Sequence, residues 1–171
     1  MIDKIRDRQE TLVERLDGKA DRLLTLLTIA SGIVGFLGPI IFEKLQNIPP
    51  VLLYFFSALL IIFFLTDIPM IFYVLRAVGP HTKPIQKVPE EWESAVSFYG
   101  GICKLKPNEY EEKMKKVSKD EMFIENVRQS YILAGIAEYK ITNLKKAMKW
   151  YIMLFGLLVA IIIIGFIILI F

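Results

Sequence analysis

A chain of 171 residues is long enough for one domain, at most two. Hydrophobic residues make up 54% of it, charged residues 23%, and the mean hydropathy is +0.48, so an ordinary soluble domain is excluded and apolar runs must alternate with charged stretches. A net charge of +3 is too small to argue for nucleic-acid binding. One cysteine, Cys103, and one histidine, His81, exclude an internal disulfide and argue against a zinc cluster.

Residues 1–22 hold twelve charges of mixed sign, with Ile2, Ile5, Leu12, Leu16 and Leu23 at heptad-like spacing between them. They predict an amphipathic helix, either running into the first apolar run or lying solvated on the membrane. Residues 23–42 then carry no charge over twenty positions, and residues 51–75 carry one, Asp67, over twenty-five. A hydrocarbon core of about 30 Å needs about 20 helical residues, and a helix satisfies its own backbone polar groups there. The first run does not read as a cleaved leader, because no short basic segment precedes it and residues 38–42 continue apolar.

After the second run, residues 79–89 are rich in Gly and Pro and read as a loop. A short helix is expected over residues 90–99, ended by Gly100 and Gly101. Another is expected over residues 107–117, with Pro107 in its first turn. Ser118 and Glu121 form a capping-box pattern. No breaker follows, so one helix is expected from Lys119 into residues 151–171, the third uncharged run. Its water-side part offers Ile124, Val127, Tyr131, Ala134, Ile141, Leu144 and Met148 as a connected apolar face in need of a partner.

Lys and Arg set the orientation. Residues 1–22 carry six and residues 76–149 carry fourteen, whereas residues 43–50 carry only Lys44. The positive-inside rule puts the N-terminus and the middle region in the cytoplasm and Phe171 outside. Lys145, Lys146, Lys149, Trp150 and Tyr151 mark where the third span meets the headgroups. The expected fold is all-α: three transmembrane helices with a helical cytoplasmic domain between the second and third spans. Its divisions are 1–22, a hairpin at 23–75, the cytoplasmic region 76–149 and the last span at 150–171.

No catalytic constellation is visible: the chain has no phosphate-binding or dinucleotide loop, nucleophile elbow or metalloprotease helix. The expectation is a protein that is not an enzyme and holds no cofactor. Asp67 is the informative polar residue of the spans. It sits about 12 Å inside the cytoplasmic edge, near Thr28 and Ser31 if the first two spans pair antiparallel. Either it is an ion or proton site, or it is a neutral acid bonded to Thr28 or Ser31. Ser31, Gly32, Gly35 and Gly38 suit tight helix contact, within the hairpin or between subunits.

Three segments carry a resemblance. Asp17-Gly18-Lys19-Ala20 through Leu23-Leu24 looks like a D-x-K-A-x-x-L-L segment. Ser97-Phe98-Tyr99-Gly100-Gly101 followed by Leu105-Lys106-Pro107-Asn108-Glu109-Tyr110 is similar to an aromatic-Gly then L-S-P-E-E-Y pattern. Gln129, Leu133, Ile136 and Lys140 fit Q-x-x-x-L-x-x-I-x-x-x-K. Together, with the order of the spans, they resemble the Pycsar membrane effector family over nearly the whole chain. The resemblance implies an anti-phage effector of the inner membrane. A partner cyclase would supply cyclic CMP or cyclic UMP, and the effector would then impair the membrane, as a homo-oligomer. DNA and RNA are not expected partners.

If a nucleotide binds, its phosphate needs a basic residue and its base an aromatic ring. Lys19, Arg128 and Lys140 are candidates for the first, Tyr99 and Tyr131 for the second. Lys19 and Lys140 equally suit membrane-edge anchors or partners for Asp17 and Glu138. A constitutive membrane scaffold or adaptor, or a small ion or proton pathway through Asp67, are the alternative functions.

Overall fold

The computed structural model describes residues 2–44, 50–79, 102 and 105–170. Four helices account for nearly all of them: α1 (Ile2–Lys44), α2 (Pro50–Val78), α3 (Pro107–Lys116) and α4 (Lys119–Ile170). No strand occurs among the described residues. The helix expected over residues 90–99, and the loop before it, lie outside them.

α1, α2 and α4 are each long and apolar enough to cross a membrane. α1 runs 43 residues without a break, so the charged N-terminal segment and the first span are one helix. α4 runs 52 residues, also without a break. Its start is fixed by the expected capping box. The Ser118 N–H donates to Glu121 Oε2 at 2.7 Å, and the Glu121 N–H donates to Ser118 Oγ at 3.2 Å. α3 begins at Pro107, where a missing N–H costs nothing. Only half a box forms there, because the Lys106 N–H donates to Glu109 Oε2 while the Lys106 ammonium cannot accept.

The described residues form two compact units. One comprises residues 1–18 and 78–142, the other residues 19–77 and 143–171. α1 and α4 contribute to both. The expected helical domain between the second and third spans is not supported, because the helix that follows the second span in the described residues is short. The described part of that stretch is the ten-residue α3 and the start of α4, and its helical partner is the N-terminal part of α1.

In the second unit the helices bury apolar residues at three-, four- and seven-residue steps. α1 buries Ala20, Leu23, Leu27, Ala30, Val34 and Ile41; α2 buries Phe56, Phe63, Met70, Val74 and Ala77; α4 buries Leu144, Ala147, Leu154, Leu158, Ile161 and Ile168. That spacing is the seam of helices crossing at a shallow, left-handed angle. α1 and α2 are antiparallel: Ser31 meets Asp67, and eleven residues later on α1 and eleven earlier on α2 Phe42 meets Phe56 edge to face at 6.2 Å. α4 packs tightly on α1 at Gly165, where an added Cβ would lie 2.6 Å from Ile41 Cδ1. Gly32, Gly35 and Gly38, expected to permit tight contact, each face open space. Within the three uncharged runs the outward residues are largely apolar, with Phe36, Tyr54, Ile68, Ile152 and Phe166 all well over half exposed. A water-facing bundle would not carry such a surface; lipid accommodates it.

Two expected apolar faces are corrected. In the first unit Ile5 and Leu12 point outward, and the buried row of α1 starts at Leu16. On α4, Leu144 is buried as expected, but Ile124, Val127, Tyr131 and Met148 are about half exposed, whereas Ser130, Ile136, Ala137 and Lys140 are buried. The packed row thus lies one residue round the helix from the face that hydropathy selects, because it is built partly from polar side chains.

The Ser118 N–H bond, reinforced by the hydroxyl, holds the Glu121 carboxyl below its ordinary value of 4.5. A lowered folded value means that the box contributes stability above the ordinary value and loses it as pH falls through the lowered one. The Ser118 amide resonance, followed by NMR, is expected to titrate with a midpoint below 4.5. Glu121→Gln should flatten that titration.

Candidate functional site

Polar side chains are sparse among the buried residues: Thr66, Asp67, Ser130, Lys140 and Asn143. Each sits on α2 or α4, and two of them, Lys140 and Asp67, meet a polar partner on α1.

The first is in the unit of residues 1–18 and 78–142. Lys140, 5% exposed, forms an ion pair with the half-buried Asp17, joining α4 to α1 one residue from the buried Leu16. A buried ammonium is tolerated only with such a partner. Nearer the N-terminus of the same two helices, Arg6 Nη1 donates to Asn126 Oδ1 at 3.2 Å. α1 and α4 therefore run side by side in the same direction here. Both members of the ion pair belong to the segments quoted above, Asp17 to the first and Lys140 to the last.

The same unit has a cavity of about 390 Å³ between α3 and the start of α4. Lys113, Lys116 and Arg128 supply positive charge, Val117 and Ile124 an apolar wall, and Glu121 and Glu125 two carboxylates. Of the five candidate nucleotide ligands, Arg128 lines this cavity. Tyr131, three residues on along α4, is 51% exposed. Lys19 is exposed on α1, Lys140 is engaged with Asp17, and Tyr99 lies outside the described residues. Among the four described candidates, Arg128 and Lys140 stand twelve residues apart on α4. Sequence reading missed Lys113 and Lys116, which look like members of a solvated helix. The signal available was their three-residue spacing just before the turn into α4.

The second polar place is in the membrane hairpin. The Ser31 hydroxyl donates to Asp67 Oδ2 at 3.3 Å, while Oδ1 is buried without a hydrogen-bond partner. Thr28, the other expected partner, is exposed and donates instead to the Leu24 carbonyl at 3.0 Å. One helical turn on α1 decides between the two, and the antiparallel register selects Ser31. Thr66, beside Asp67, donates to the Ile62 carbonyl at 2.7 Å. Among the described residues no group of three or more His, Cys, Asp or Glu is placed to hold a metal ion.

Residues 1–169 match the family described as Pycsar effector protein domain. The chain belongs to the Pycsar effector family. No curated protein matches it, and no solved structure does. As a Pycsar effector with three membrane-crossing helices, the chain is a multi-pass membrane protein of antiviral defence, in contact with the lipid bilayer. The Asp17–Lys140 pair and the cavity at Arg128 are then features of this effector's own helices.

Ser31→Ala would leave the buried Asp67 carboxyl with neither oxygen partnered. It is expected to lower stability by about 1–3 kcal/mol, read as a lower thermal midpoint in detergent. Asp67→Leu, which removes the need for a partner, should restore that midpoint in the Ser31→Ala background.

Proposed function

We propose that this Pycsar effector is switched on by cyclic CMP or cyclic UMP from a partner cyclase and then impairs the inner membrane as a homo-oligomer. The observation that carries this reading is the family match over residues 1–169. In this reading residues 1–22 and 76–149 face the cytoplasm, Phe171 lies outside, and the chain catalyses no reaction and holds no cofactor. Arg128, with Lys113 and Lys116, receives the nucleotide phosphate, and Tyr131 offers a face to the base. A cavity of about 390 Å³ suits a ligand of that size.

Ligand binding acts only if it prefers one of two packings. α1 and α4 both continue into spans, and the Asp17–Lys140 pair ties them on the ligand's side. In the proposed mechanism that pair holds the quiet packing and parts in the active one. A second reading, a proton or ion pathway, is favoured by one observation, the buried and unpartnered Asp67 Oδ1.

Dye uptake by cells expressing the chain separates these readings. Uptake should appear only with cyclic CMP or cyclic UMP and disappear in Arg128→Ala. Asp17→Asn or Lys140→Gln should raise uptake without nucleotide by about tenfold, the response to a shift of roughly 1.4 kcal/mol between packings. Asp17→Lys combined with Lys140→Asp should return it to baseline. Uptake indifferent to nucleotide would remove the gated reading. Proton flux abolished by Asp67→Asn would support the pathway instead.

A further inference from the structure

The unit of residues 19–77 and 143–171 holds a cavity of about 370 Å³ where α2 and α4 adjoin, lined by Tyr73, Lys146, Lys149, Trp150 and Met153. Its chemistry differs from that of the cavity at Arg128. There three cations face two carboxylates; here the lining holds two cations and no carboxylate. The Lys146 ammonium lies 5.4 Å from the centre of the Tyr73 ring. Arg76, three residues from Tyr73 on α2, stacks its guanidinium on Phe72 at 4.5 Å and adds a third positive charge nearby.

The cavity also sits at a defined depth. Lys149 is the last charged residue of the chain, and Met153 lies one turn beyond it in the uncharged run. The lining therefore changes along α4 from ammonium groups, through an indole N–H, to a thioether. A soluble anion has no use for the apolar end. A glycerophospholipid matches the whole gradient: its phosphate meets the lysines, its glycerol region the Trp150 N–H and Tyr73 hydroxyl, and its acyl chain Met153.

We infer that this cavity is a binding site for one anionic glycerophospholipid, which bridges the bases of the second and third spans. The charge balance of the lining selects an anionic headgroup over a zwitterionic one. The site is independent of the nucleotide reading, since it uses neither Arg128 nor the Asp17–Lys140 pair.

Native mass spectrometry of the full chain in a neutral detergent tests this. With phosphatidylglycerol, one retained lipid per chain is expected; with phosphatidylcholine, none. Inorganic phosphate and glycerol 3-phosphate should neither be retained nor displace the phosphatidylglycerol. Lys146→Gln with Lys149→Gln should cut its retention by about tenfold or more, and Lys113→Gln with Lys116→Gln should leave it unchanged. Should the first double variant fail to accumulate, Trp150→Phe with Tyr73→Phe removes only the two donors and should still lower retention. Equal retention of the two lipids, displacement by either soluble phosphate, or full retention by the site variants would overturn the inference.

Discussion

A peptide group in lipid has no water to bond, so each segment that crosses must close its hydrogen bonds within itself. The described part of this protein obeys that constraint by extension: α1 and α4 do not stop at the membrane edge but carry the same hydrogen-bond ladder into the water side. Pro39 in α1 and Pro69 in α2 each remove one N–H from a ladder without ending the helix. A helix that is one piece on both sides gives a water-side event a mechanical route into the bilayer. A flexible linker at the membrane edge would lose it.

Packing along these rods is apolar at regular steps, and the polar exceptions set register. An apolar seam tolerates a slip of one heptad, because one Leu or Ala layer resembles the next. A buried lysine held by one carboxylate does not, since sliding would strand Lys140 and Asp17 apart. Ser31 and Asp67 do the same for the antiparallel hairpin, at a distance where an acid among apolar neighbours needs a donor. Among the described residues, the pair α1–α4 therefore carries polar register marks at Asp17–Lys140 and Arg6–Asn126, and the pair α1–α2 carries one at Ser31–Asp67.

Hydropathy and helix punctuation carried much of the fold. Three uncharged runs, Pro107 and the Ser118–Glu121 pattern suffice to find the long helices and the start of α4. The Ser31–Asp67 contact was also within reach, because few polar groups exist in the first span. What hydropathy could not choose was the packed face of α4. Ile124, Val127 and Tyr131 look like the buried side, yet the helix turns Ser130 and Lys140 inward. A lysine reads as solvated until its partner is known, and Asp17 lies 123 residues away in sequence. The same long-range pairing explains why Lys140, a reasonable phosphate ligand by charge, is already engaged.

The continuity of α4 across the membrane edge is the claim on which the mechanism rests. Spin labels at the exposed positions Glu138 and Ile163, in a Cys103→Ser background, would measure it in lipid nanodiscs. An unbroken helix at about 1.5 Å per residue gives one narrow distance near about 38 Å, whereas a broad distribution, or one centred below about 30 Å, would show a break between the two labels and contradict the account.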